Sequence, residues 1–106
     1  MAKQQPYSLV FVPQVRDHFR VIDRKFHALI RDTIREQLLF EPDSPTTNRK
    51  PLRQPLAGAT WELRLGPDNR FRVLYEIEPE SREVVILAVG VKEREKLFIA
   101  GEEVGP

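Results

Sequence analysis

The side chains in this sequence best suited to chemistry are four cations and one acid: Arg64, Arg72, Lys92, Arg94 and Glu62. The first two arginines and the glutamate lie in the stretch W-E-L-R-L-G-P-D-N-R-F-R-V-L-Y-E-I, residues 61–77. Trp61, Leu63 and Leu65 alternate with Glu62 and Arg64; Phe71, Val73, Tyr75 and Ile77 alternate with Arg72, Leu74 and Glu76. Period-two alternation in residues that favour strands predicts two half-buried strands. Gly66-Pro67-Asp68-Asn69-Arg70 supplies the turn between them. The two apolar faces coincide only if Leu65 sits across from Phe71, because a slip of one residue turns a strand inside out. Arg64 then faces Arg72 on the polar side. Like charges paired across strands are mildly destabilising. The pair therefore reads either as an anion site, with phosphate as its natural ligand, or as two arginines splayed into solvent.

The remaining elements decide what gathers around this pair. Residues 7–12 read as a short strand stopped by Pro13, which also suits the first turn of a helix. Val15, Phe19 and Ile22 have helical spacing. Asp23 is a natural N-cap for a second helix striped by Phe26, Leu29, Ile30, Ile34 and Leu38. Residues 41–60 contain Pro42, Pro45, Pro51 and Pro55, a density that predicts an extended, stiffened loop. Arg49, Lys50 and Arg53 on that loop could hold a phosphate backbone, or could simply be solvated. The β-branched run 84–89 predicts a strand buried on both faces and central in the sheet. Returning antiparallel to 71–77, it brings its far end beside Arg72, where Lys92 and Arg94 leave the sheet. Cations from three segments thus converge at one end, which favours an anionic partner, most simply RNA. Residues 97–99 read as an isolated apolar patch and 101–106 as a frayed tail. The expected fold is α+β: a small, antiparallel-dominated sheet of about four strands, with an N-terminal helical hairpin packed on one face and the first strand beside 84–89.

Composition sets the outer limits. A chain of 106 residues makes one domain, residues 1–106, with a modest core. Hydrophobic content of 41% and charged content of 31% fit an ordinary globular protein. Without cysteine there is no disulfide framework, which fits a cytoplasmic setting. No run approaches the roughly 18 apolar residues of a membrane span, and M-A-K-Q-Q-P lacks the apolar core of a secretory leader. A net charge of +1 means that nucleic-acid binding must come from local clustering. His18 and His27 fall on helices, away from the basic end, and read as structural or surface residues. No phosphate-binding glycine loop or metal-ligand cluster is present, so no cofactor or metal is expected.

The order strand, helical hairpin, basic loop, three strands resembles the RelE/ParE toxin superfamily of bacterial type II toxin–antitoxin systems. The likeness is carried by Trp61-Glu62-Leu63-Arg64-Leu65, Arg72-Val73-Leu74-Tyr75, Val89-Gly90-Val91-Lys92-Glu93-Arg94, and the loop Lys50-Pro51-Leu52-Arg53 ending in Leu56-Ala57-Gly58. It covers roughly residues 7–98. RelE-like members are ribosome-dependent mRNA endonucleases, and the resemblance implies that function, with the ribosome, mRNA and a cognate antitoxin as partners. It places Arg64 and Arg72 at basic strand positions of the RelE site and Lys92 at another catalytic arginine. Lys50 and Arg53, with Arg49 and Arg94 beside the same path, would contact RNA. It also places Phe98 where RelE has a functional tyrosine, and Glu62, a candidate general base, where RelE has a lysine. ParE-like members share the fold without nuclease residues and inhibit DNA gyrase. The resemblance therefore also admits a gyrase inhibitor, or an inactive toxin-fold protein that only binds its antitoxin.

Overall fold

The computed structural model describes residues 5–104; the expectations for the leader residues 1–4 and for the last two residues lie outside that range. The elements run β1 (Ser8–Phe11), α1 (Val15–Arg20), α2 (His27–Leu38), β2 (Arg49–Leu56), β3 (Ala59–Leu65), β4 (Phe71–Glu78), β5 (Glu83–Glu93), β6 (Lys96–Ile99) and β7 (Glu102–Val104). They form a seven-stranded sheet of order β2-β3-β4-β5-β6-β7, with β1 alongside β5. The class is α+β, as expected, but the sheet has seven strands and not about four. Among the described residues no helix is long and apolar enough to cross a membrane.

Alternation carries the β3–β4 hairpin as read from sequence. Leu65 pairs with Phe71 and Arg64 with Arg72. β5 is central: β4 runs antiparallel on one side of it, β1 pairs parallel over Ser8–Phe11 on the other, and β6 pairs with its last residues. A bulge at Leu87 lets Ala88 pair with Leu74 while Ile86 pairs with Tyr75, so one extra residue adds local twist there.

The rest of the sheet departs from expectation. Residues 49–56, read as a loop, are strand β2. Pro51 and Pro55 are tolerated because β2 is an edge strand, where a missing N–H need not break a ladder. Residues 96–99 and 102–104 are strands and not a patch and a tail. They are joined through Ala100 and Gly101, both at positive φ, the pattern of a tight two-residue hairpin. Lys92 does not leave the sheet: β5 continues through Glu93 and turns at Arg94 and Glu95, again both at positive φ.

Each face of the sheet has its own apolar cluster. On one face Val15 of α1 and Ile30, Ile34 and Leu38 of α2 join Leu63, Leu65, Phe71, Val73, Tyr75 and Ile86 in the main core. The spacing i, i+4, i+8 puts the three α2 residues on one stripe; burying each stabilises by about 1.5–3 kcal/mol. Leu29, expected on that stripe, is exposed. Asp23 caps the turn before α2 by accepting from the Lys25 N–H at 3.1 Å. On the opposite face Ala59, Leu74, Ala88 and Ile99 form a smaller cluster, packed by Leu52, Leu56, Leu97 and Val104.

Candidate functional site

Residues that pair across an antiparallel ladder share a face, as do residues two apart along a strand. Lys50 pairs with Glu62, Arg64 with Arg72, and Arg72 with Gly90; Lys92 follows Gly90 by two. Lys50, Glu62, Arg64, Arg72 and Lys92 therefore occupy one polar band on the face opposite the helices. Gly90 sits within it because a Cβ there would stand 2.9 Å from Leu97 Cδ1 and 3.0 Å from the Phe98 carbonyl, so β6 passes too close for a side chain. Glu62, Arg72 and Lys92 line one cavity of about 350 Å³, bounded by Leu56, Leu97 and Val104.

Within that band the arginines are not splayed. Glu62 lies between them: its Oε1 accepts from Arg64 Nε at 3.2 Å, and its Oε2 is 3.5 Å from Arg72 Nη1. Arg72 Nε also donates to the Asn69 carbonyl at 3.0 Å. Asn69 and Asp68 both hold positive φ in the β3–β4 turn, a region Asn and Asp tolerate better than most residues. Arg72 is 8% and Glu62 6% exposed, so the reading of arginines splayed into solvent does not hold for Arg72. Burial pushes the Arg72 guanidinium down from its ordinary value, Glu62 opposes that shift, and Arg64 adds to it. A guanidinium nevertheless stays charged at any working pH. Both Glu62 oxygens face guanidinium groups, so a proton accepted there would break one of the pairs. Its geometry is that of a brace and not of a free base.

The other sequence candidates separate. Lys50 and Arg53 are exposed on β2, and Arg94 is exposed at the β5–β6 turn. Arg49, expected to meet RNA, is buried: its Nε donates to the Ser44 carbonyl at 2.8 Å and its Nη1 to the Gln37 carbonyl. It satisfies a carbonyl in the last turn of α2 and has no surface to offer a ligand. The cavity walls supplied by β6 and β7 had no clear signal in sequence, because those strands are only four and three residues long. His18 is likewise misjudged as remote. It borders a second cavity on this side of the molecule. Among the described residues no cluster of three His, Asp or Glu side chains has the makings of a metal site.

One chain of the crystal structure of the toxin–antitoxin complex RelBE2 from Mycobacterium tuberculosis superposes on this one with a TM-score of 0.60 and 24% sequence identity, over 82% of this chain and 99% of that chain. At that identity the match establishes shared fold. No family model matches the sequence, and no curated protein matches it.

Proposed function

We propose that this chain is the toxin of a type II toxin–antitoxin pair and that it cleaves mRNA on the ribosome. The observation that carries the reading is the convergence of Arg64, Arg72 and Lys92 with Glu62 on one face of a RelE-like sheet, where Glu62, Arg72 and Lys92 line a cavity large enough for a phosphate and its sugar. The reaction is a transesterification. The RNA 2′-OH attacks the adjacent phosphorus, the bond to the 5′-oxygen breaks, and the products are a 2′,3′-cyclic phosphate and a 5′-OH. The 2′-OH gives up its proton to water, the leaving 5′-oxygen takes one from the enzyme, and solvent restores the enzyme's proton. Arg64 and Arg72, held by Glu62 before substrate arrives, stabilise charge on the phosphorane as fixed donors do at a developing oxyanion. Lys92, on the same face, is positioned to protonate the leaving oxygen. The ribosome holds the message in place, and positioning alone can supply much of the rate. An antitoxin of acidic or amphipathic character would cover the basic band until released.

One observation favours a second reading. The cavity's cations Arg72, Lys92 and Lys96 are matched by Glu62, Glu95 and Glu103, a balance better suited to a protein partner than to a polyanion. In that reading the chain inhibits DNA gyrase by binding, without chemistry. Induced expression followed by primer extension on cellular mRNA, alongside a supercoiling assay, separates the two. New 5′ ends with normal supercoiling support cleavage. Intact mRNA with lost supercoiling supports the gyrase reading. Normal growth with neither effect leaves a toxin-fold protein without activity.

A further inference from the structure

A second cavity, of about 510 Å³, opens beside the first. It is walled by Val12, Leu87, Ala88, Ile99 and Val104, with His18 among them. Val104 borders both cavities, and Ala88 lies two residues before Gly90, the partner of Arg72, on the same face of β5. His18 reaches this place through a seam in the sheet. β1 pairs with β5 as far as Ile86, and β6 pairs with it from Gly90 onward. In the gap the Val89 N–H donates to His18 Nδ1 at 3.2 Å. A neutral imidazole whose Nδ1 accepts carries its proton on Nε2. That Nε2–H has no hydrogen-bond partner among the described residues and stays open to water, on a residue that lines the cavity. A ligand that covers this donor strips its water and must accept from it in turn, or the covering costs free energy. Neighbouring strands lie about 4.8 Å apart, so a ring bonded to Val89 stands on the order of 10 Å from Arg72, across β4 and β5.

We propose that the His18 cavity is a nucleobase subsite, taking the base of the nucleotide whose phosphate sits at Arg72. The inference rests on the RNA reading. A base has flat apolar faces for aliphatic walls and acceptor atoms on its edge for Nε2–H. An aliphatic ligand would leave the donor unpaired, and a phosphate would meet apolar walls and the nearby Glu102.

The test titrates wild-type protein with adenosine 5′-monophosphate, adenosine and inorganic phosphate, reading affinity by calorimetry and the His18 ring nitrogens by NMR. The nucleotide should bind at least about tenfold tighter than phosphate, the scale of one base contact, and should move the Nε2 resonance. Leu87→Trp, which fills the cavity while keeping His18 bonded to Val89, should remove that advantage and leave phosphate affinity unchanged. His18→Gln should weaken nucleotide but not phosphate binding. Adenosine that moves Nε2 in a protein whose phosphate binding ignores Arg72→Met would keep the subsite and defeat the RNA reading. Phosphate binding that depends on Arg72, with nucleotide no tighter than phosphate and Nε2 unmoved, would defeat the subsite and keep that reading. Silence of Nε2 toward all three compounds overturns the inference outright.

Discussion

Arg72 and Glu62 illustrate how a polar pair can serve a site and the fold together. Because Arg72 is buried against Glu62, Arg72→Ala has two separable effects. Cleavage should fall by ~10²–10³, the range for losing one fixed oxyanion donor. Stability should fall by about 1–3 kcal/mol, because Glu62 loses one of its two partners. Thermal melting should register the second effect as a drop of about 5–10 °C, and primer extension the first. Arg72→Lys keeps the charge but not the planar fork, so it should recover part of the stability and little of the cleavage. Unchanged cleavage in Arg72→Ala would remove the arginine from the reaction. His18 gives a pH effect of definite sign. Burial lowers its pKa, with Asp17 opposing, so the folded state favours the neutral ring. Above its ordinary value of about 6.5 both states are neutral and the full stability is present. As pH falls below that, the unfolded chain takes the proton first, and stability is lost down through the folded pKa. The melting temperature of wild type, measured relative to His18→Gln, should therefore fall between pH 7 and pH 5. A parallel pair of curves would mean that His18 does not titrate in that range. Neither burial was legible in sequence, since an arginine or histidine on a pattern's polar side looks the same whether solvent or a second layer of chain lies over it.

At the scale of elements, the β5–β6 turn carries a cost that can be removed. Arg94 and Glu95 both hold positive φ, at 49° and 69°, where a residue with a side chain is less stable by roughly 1–2 kcal/mol. Replacing the pair with Asn-Gly should raise stability by about 1 kcal/mol. A lower denaturation midpoint would show that these side chains contribute more than the turn loses. Gly90→Ala should act in the opposite direction, by about 1–3 kcal/mol, since its Cβ meets Leu97 and the Phe98 carbonyl. The β3–β4 hairpin could be read to the exact register because its alternation is strict and its turn residues are strong signals. β2 could not, because Pro51 and Pro55 suppress the strand pattern even though an edge position permits them. β6 and β7 are too short for periodicity to show, and their turns lack the Asn-Gly signature, so the walls they give the cavity stayed hidden.

For the whole molecule, a net charge of +1 means that any RNA affinity must come from local clustering, such as that of the polar band. If Arg64, Arg72 and Lys92 are the phosphate contacts, log affinity for single-stranded RNA should fall against log salt with a slope of about −2, three contacts at roughly 0.7 each. A slope near zero in a filter-binding series would argue for a protein partner instead. The placement of β1 also bears on how the chain is made. Ser8–Phe11 pairs only with β5, Ser8 with Glu83 and Phe11 with Ile86, so some 75 residues separate the two halves of that contact. Contacts of such separation form late, after the cost of closing the loop has been met. During synthesis the helices and the β3–β4 hairpin can form while β1 still has nothing to pair with. The seam that His18 fills cannot exist until β5 has emerged. An elongating chain thus passes most of its translation without the finished face, which closes only as the last strands leave the exit tunnel.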